Sequence, residues 1–345
     1  MDYDKYKNKG YSGLVNLGNT CFLNSCIQAL NHTYELHDYF SKKTYKKHLS
    51  ENTDDIQILE EWFELCDLML KSNSVISPNR FVHSVHKVSV KKDKDIFTGW
   101  TQNDMPEFLL FMIECIHNSI SRSVKVNING TRINKTDDLA FKCYEMLKRI
   151  YFKEYSEVME LFYGIYVSEI VSYDGKKVLS TTPENYFVLD LPIVFSRNCS
   201  IYDCFDLFTK PELLEGDNAW FNEKTNTKEN VQKRITFWNF PNILVITLKR
   251  FSPDGRVKIN NKIDFPLDNL DLSKYVSGYN ANTYKYNLYA ICNHYGNTYG
   301  GHYTSFVKNA DDIWLHFNDQ QVEKVENSDF LISPAAYCLF YRKNV

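Results

Sequence analysis

The spacing of apolar positions changes character about halfway along the chain. Residues 21–30 form an apolar-rich stretch led by polar Asn19 and Thr20, the pattern of a helix start. Across residues 54–70, Ile56, Leu59, Trp62, Phe63, Leu65, Cys66 and Met69 recur at helical spacing. A third helix is predicted over residues 105–116, with Phe108, Leu109, Met112, Ile113 and Ile116 on its apolar face. Residues 124–138 are polar, contain an Asn-Gly pair and predict an exposed loop; residues 139–161 return to helix-like spacing. Beyond Phe162 the pattern shortens. Residues 163–172, 186–191, 235–238 and 243–251 read as strands broken by Gly, Pro and Asn, and residues 216–230 as a polar, mobile connection. Strands resume at residues 286–293, 302–308, 313–318 and 337–342. A helical lobe followed by a β-rich lobe is an α+β arrangement, and the cleft between the lobes is the expected site.

Composition narrows the function. At 345 residues the chain is long enough for two domains or one multi-lobed domain. A net charge of -3 offers no broad basic surface for nucleic acid. The longest apolar runs, such as residues 243–248, are too short to span a bilayer, so no membrane partner is expected. Residues 1–10 are charged and Tyr-rich, without the apolar core of a secretory signal. The nine cysteines are odd in number and none falls in a C-x-x-C pair. That argues against a disulfide scaffold and a cysteine-paired zinc site, and for a reducing intracellular compartment, cytoplasm or nucleus.

The candidate chemistry lies in two stretches far apart in the chain. One is Gly13-Leu-Val-Asn-Leu-Gly-Asn-Thr-Cys21-Phe-Leu-Asn-Ser-Cys-Ile-Gln28. Cys21 opens the first predicted helix, where free N–H groups and the helix dipole favour a thiolate. Asn16, on a turn with Gly13 and Gly18, can donate to the oxyanion of a tetrahedral intermediate alongside the Cys21 N–H. Taken singly, Cys21 fits equally a buried helix residue and Asn16 a turn former, as Cys26 fits the core. The other stretch is Asn293-His-Tyr-Gly-Asn-Thr-Tyr-Gly-Gly-His302-Tyr-Thr, followed by Trp314-Leu-His-Phe-Asn318-Asp319. Gly300 and Gly301 let a thin, extended substrate approach His302. If the strands on either side of Asp311-Asp312 pair as a hairpin, Asn318 and Asp319 return beside His302 and can fix its tautomer. Among the other histidines only His294, just before the glycine-rich loop, is a site candidate.

These residues resemble the cysteine and histidine boxes of the ubiquitin-specific proteases, a family of papain-like deubiquitinases. Gln102-Asn-Asp104-Met-Pro-Glu107-Phe108, Leu248-Lys-Arg-Phe251 and Ala336-Tyr-Cys-Leu-Phe-Tyr341 are similar to three further family segments, in family order. The resemblance implies a papain-like, right-hand fold. Residues 1–10 would be an extension and residues 11–345 the catalytic domain, with a helical thumb over about 11–160, β-rich fingers over about 162–241 and a β-sheet palm over about 242–345. It implies Cys21 as nucleophile, His302 as base, Asn318 as orienter, Asp319 as its polar neighbour and Asn16 as oxyanion donor. The ubiquitin tail, ending Leu-Arg-Gly-Gly, would meet Asp104, Glu107, His294, Gly300, Gly301 and Tyr303. Asp104 and Glu107 would face its arginines; read without the resemblance, they are acids at a helix N-terminus.

One departure is visible. Where many members carry four finger cysteines holding zinc, this chain has Ser172, Gly175, Asn222 and Thr225, so no metal and no cofactor are expected. The expected partners are ubiquitin and ubiquitinated proteins, acted on by a monomer. Two alternatives stay open: a protease for another Gly-Gly-ending modifier, and a catalytically inactive ubiquitin-binding module.

Overall fold

The computed structural model describes residues 2–94, 97, 101–194, 199–252, 254–297 and 300–344. Its helices are α1 (Cys21–Asn31), α2 (Tyr34–Ser41), α3 (Thr53–Ser72), α4 (Asn79–Lys91), α5 (Met105–Ile120), α6 (Lys135–Lys153), α7 (Glu157–Phe162) and α8 (Ile201–Thr209). The strands begin with β1 (Gly164–Ser172), β2 (Val178–Tyr186), β3 (Val188–Leu191), β4 (Cys199–Ser200), β5 (Glu212–Leu214), β6 (Trp220–Asn222), β7 (Thr227–Glu229) and β8 (Val231–Asn239). They continue with β9 (Ile243–Leu248), β10 (Ile263–Asp264), β11 (Leu270–Asp271), β12 (Lys285–Gly296), β13 (Gly301–Lys308), β14 (Trp314–Asn318), β15 (Gln321–Lys324) and β16 (Ala336–Lys343).

The expected α+β division holds: among the described residues, seven α-helices precede the first strand. An eight-stranded sheet in the order β15-β14-β13-β12-β16-β9-β3, with β11 beside β12, separates two cores. Successive residues of a strand point to opposite faces. Thus Val245, Cys292 and Phe340 join the core under the helices, while Ile246, Ile291 and Leu339 join the core on the far side. β9 is buried along its whole length, as a strand covered on both faces must be. Arg250, which follows β9, is fully buried and donates to the carbonyls of Ala336, Ile259 and Asn261 at 2.6–3.0 Å. Burial holds its guanidinium below the usual range, at about 10. It therefore works as a tie between backbone segments.

A second sheet, β2-β1-β8-β5, carries the projecting lobe. α6 braces it through Ala140, Cys143 and Met146, packed on Ile165, Val167 and Trp238. The helix begins at Lys135, inside the segment expected to be a loop, because Asn134 and Asp137 form a reciprocal capping box there. The segment 216–230, expected to be a mobile connection, contains the hairpin β6–β7. Polar side chains reinforce its backbone pairing, a signal that hydrophobic spacing does not register. Asn222 and Thr225 both donate to Glu229, and Ser172 donates to Asp174. The four positions matched to the finger cysteines therefore sit in two turns, where the three with polar side chains hydrogen-bond locally and Gly175 takes a φ of +72°.

The spacing analysis also missed α2, α4 and α8. α4 carries Phe81, Val82, Val85 and Val88 on one face, a helical signal that was present. The N-terminal segment packs on the helices. Tyr6 is buried, stacks on Tyr34 at 4.3 Å and donates to Asp38.

Candidate active site

α1 is the element on which the site is built. All eleven of its residues are buried, polar ones included. Buried polar groups demand partners, and here the partners fix the helix against the sheet. Ser25 donates to the carbonyl of Thr304 at 3.0 Å, Gln28 to that of Ser12 at 2.8 Å, and Asn24 to Asp319 at 2.8 Å. Cys21 is thereby held at the helix N-terminus against β13.

The thiol departs from the sequence expectation in one respect. The helix start was expected to favour the thiolate. Burial, the largest influence, raises the Cys21 pKa instead. The backbone N–H groups of Tyr303, Phe22 and Cys21 itself pull the other way, and the nearby Asp319 charge pushes up. The net direction is upward, so the sulfur gives up its proton less readily than a free thiol and is helped by a base.

The hairpin expectation holds. β13 and β14 pair antiparallel, Ser305 opposite Phe317 and Lys308 opposite Trp314. His302 Nε2 lies 2.7 Å from Asn318 Oδ1. An amide oxygen only accepts, so Nε2 carries the proton and Nδ1 is left as the basic nitrogen. The residue after His302 is Tyr303, whose backbone N–H is among the groups that favour the Cys21 thiolate. The imidazole and the amide thus stand side by side on β13 and β14, with the helix of Cys21 packed on β13 through the Ser25–Thr304 bond.

Asp319 is the hub of a second network. Its backbone sits at φ 50°, in the left-handed region that Asp tolerates better than most residues. One carboxylate oxygen accepts from Asn16 Nδ2 at 2.9 Å and the other from Asn24 Nδ2. The Asn16 amide oxygen in turn accepts from the N–H groups of Gly18 and Thr20 at 3.0 and 3.2 Å. Both ends of that amide are fixed, leaving one N–H of Asn16 facing the exposed side. Gly13 completes the docking: a Cβ there would collide with the Gln320 carbonyl, and the next N–H, of Leu14, donates to the Asp319 carbonyl. Sequence reading missed Asn24. As the third residue past Cys21 in an apolar helix it carried no catalytic spacing, and only its buried amide reveals its part.

A cleft of about 340 Å³ leads away from this centre, lined by Gln102, Asp104, Phe251, His294, Gly301 and Tyr337 among others. Asp104 opens α5 and accepts from the Tyr303 hydroxyl at 3.0 Å. Burial is the main influence raising its carboxyl pKa, so a cation entering the cleft would relieve it. Glu107 is exposed one turn along. His294 is buried among Phe251, Tyr303 and Tyr337, and burial lowers its pKa to about 4. Gly301 must be glycine, because a Cβ there would strike His294 Nε2 and the Tyr295 carbonyl. Gly300 faces Gln102, whose side-chain oxygen accepts from the Gly301 N–H at 2.6 Å. Gln102 was read only as part of a motif, and its bond across the cleft is new. Of the six residues expected to meet the tail, Asp104, His294, Gly300, Gly301 and Tyr303 line the cleft, and Glu107 does not.

Known proteins match along nearly the whole chain. The family profile described as Ubiquitin carboxyl-terminal hydrolase matches residues 12–341. The chain is 34% identical to Ubiquitin carboxyl-terminal hydrolase Usp2 of Drosophila melanogaster, over 98% of this chain and 35% of that protein. It is 34% identical to Homo sapiens Ubiquitin carboxyl-terminal hydrolase 2, over 96% of this chain and 55% of that protein. For Homo sapiens Ubiquitin carboxyl-terminal hydrolase 21 the values are 31%, 96% and 61%. The chain thus spans between a third and two thirds of these relatives. In fold it is similar to the SAGA Ubp8/Sgf11/Sus1/Sgf73 DUB module bound to ubiquitin aldehyde, with a TM-score of 0.74, 24% identity and coverage of 99% of this chain and 71% of that one. With its fold and the profile match extending from Ser12 to Tyr341, the chain belongs to the ubiquitin carboxyl-terminal hydrolase family.

Proposed function

We propose that this chain is a thiol isopeptidase that hydrolyses the bond after the C-terminal glycine of ubiquitin. The observation that carries this reading is the 2.7 Å bond between His302 and Asn318, on the strand against which Ser25 and Thr304 hold the helix of Cys21. Cys21 is the nucleophile. His302 takes its proton at Nδ1 as sulfur attacks the glycine carbonyl, then passes that proton to the departing lysine amine. Water, deprotonated by His302, attacks the thioester and releases the ubiquitin carboxylate and the thiol. Asn318 holds the ring in the required tautomer. The free N–H of Asn16 and the N–H of Cys21 receive the oxyanion, and Asp319 keeps Asn16 aimed.

The cleft from Asp104 to Gly301 takes the Gly-Gly tail, with Asp104 and Glu107 facing its arginines. The thumb covers about 11–160, the fingers about 162–241 and the palm about 242–345, with β3 of the finger segment returning to the palm sheet. Exposed Tyr173, Leu213 and Phe221 on the fingers offer apolar surface to the body of ubiquitin. Nine unpaired cysteines support action in a reducing, intracellular compartment. Action as a monomer draws no support from the solved neighbour, an assembly of Ubp8 with Sgf11, Sus1 and Sgf73.

The test is hydrolysis of a panel of aminocoumarin conjugates of ubiquitin and of other Gly-Gly-ending modifiers. Turnover of the ubiquitin conjugate, at least tenfold faster in kcat/KM than any other, is the expected result. Preference for another modifier moves the substrate assignment. Binding of ubiquitin with no turnover makes the chain an inactive binding module.

A further inference from the structure

The strand that leads into the glycine loop loses its neighbour early. β12 pairs with β16 only as far as Asn293 opposite Ala336, and the His294 N–H takes the last bond, to Ala335. Carbonyls two residues apart point to the same side of a strand. Those of His294 and Gly296 would therefore face the open edge without a strand to answer them. The Nζ of Lys258 lies 2.6 Å from the first and 3.3 Å from the second.

Lys258 lies behind the cleft, in an adjoining cavity that it lines with His294 and Gly296. It closes a hairpin-like turn in which Phe251 bridges Lys258, Ser252 bonds Val257, and Ile259 bonds the carbonyl of Arg250. Phe251 and Gly255 of that turn line the cleft, as do His294, Asn297, Gly300 and Gly301 of the other loop. Among the described residues no carboxylate lies within ion-pair distance of Lys258, so its charge is answered only by the two carbonyls. A half-buried ammonium spent on two carbonyls makes charge-assisted bonds, stronger than neutral ones.

We propose that Lys258 is a positioning residue for the Gly-Gly tail: its ammonium ties the segment paired with Phe251 to the end of β12 and so holds His294 and Phe251 in place as one wall of the cleft. The assignment rests on the reading of the cleft as a ubiquitin-tail channel. It acts through the loop and touches neither Cys21 nor His302.

The whole chain carrying Lys258→Met, and the conservative Lys258→Arg, is assayed on ubiquitin–aminocoumarin. Alkylation of Cys21 by iodoacetamide, which needs no channel, is measured in parallel. In Lys258→Met, KM rises roughly tenfold while kcat stays within about twofold and alkylation is unchanged. Lys258→Arg recovers most of the KM. A folded Lys258→Met with wild-type KM overturns the proposal, as do parallel losses of kcat, alkylation and melting temperature, which would mark a general structural role. If the unaltered chain turns over no ubiquitin conjugate, the channel reading falls and the proposal falls with it. If it turns over normally and only the KM effect is missing, the Lys258 assignment alone is wrong.

Discussion

Asp319 does two opposing things at the residue scale. Its charge pushes the Cys21 thiol up, while its two oxygens clamp Asn16 and Asn24. Asp319→Asn separates these effects. The pH dependence of Cys21 alkylation moves to lower pH, because a charge that opposes the thiolate is gone. At the same time kcat falls by about tenfold or more, because Asn16 loses its charged acceptor. Alkylation followed across pH, beside steady-state turnover, reads both. Asn24→Ala lowers kcat in the same direction, since it frees one side of the carboxylate. Cys21, His302 and Asn318 were legible in the sequence because glycines and a hairpin turn mark where they stand. Asn24 was not, because a buried amide declares its purpose only through the partner it finds almost three hundred residues away.

At the scale of elements, the site depends on one close approach between chain segments. The Gly13–Leu14 backbone lies on the Asp319–Gln320 turn with no room for a side chain. Gly13→Ala pushes the two apart. The expected cost is about 1–3 kcal/mol of stability, the range for overpacking, with a loss of kcat as Asn16 and Asp319 separate. Thermal melting and turnover check the two halves of that statement. Elements with one apolar face, such as α3 and α5, were readable from spacing alone. α8 begins with a reciprocal capping box between Ser200 and Asp203, a signal outside the hydrophobic pattern. The β6–β7 hairpin is reinforced by Asn, Thr and Glu side chains, so its polarity looked like a loop.

Across the whole molecule, with two main cores divided by one sheet and a smaller core under α6, the buried histidines confer sensitivity to acid. Burial lowers His32, His37 and His294 to about 4. Their neutral forms are what the interior accepts, whereas the unfolded chain takes up protons near about 6.5. Stability is therefore full above about pH 6.5 and declines as pH falls toward 4. Melting temperatures between pH 7 and 5 follow that decline. The helical first part and the β-rich second part were readable from the sequence, but the division into two main cores was not, because β9 and β16 are apolar on both faces and spacing cannot say which core a residue joins. The claim on which all scales converge is that Cys21 attacks the ubiquitin C-terminus. Ubiquitin carrying a C-terminal electrophile, incubated with the chain and mapped by mass spectrometry, tests it directly. A single adduct at Cys21, absent in Cys21→Ser and strongly slowed in His302→Ala, is predicted. No adduct with the unaltered chain, or one undiminished in Cys21→Ser, would contradict it.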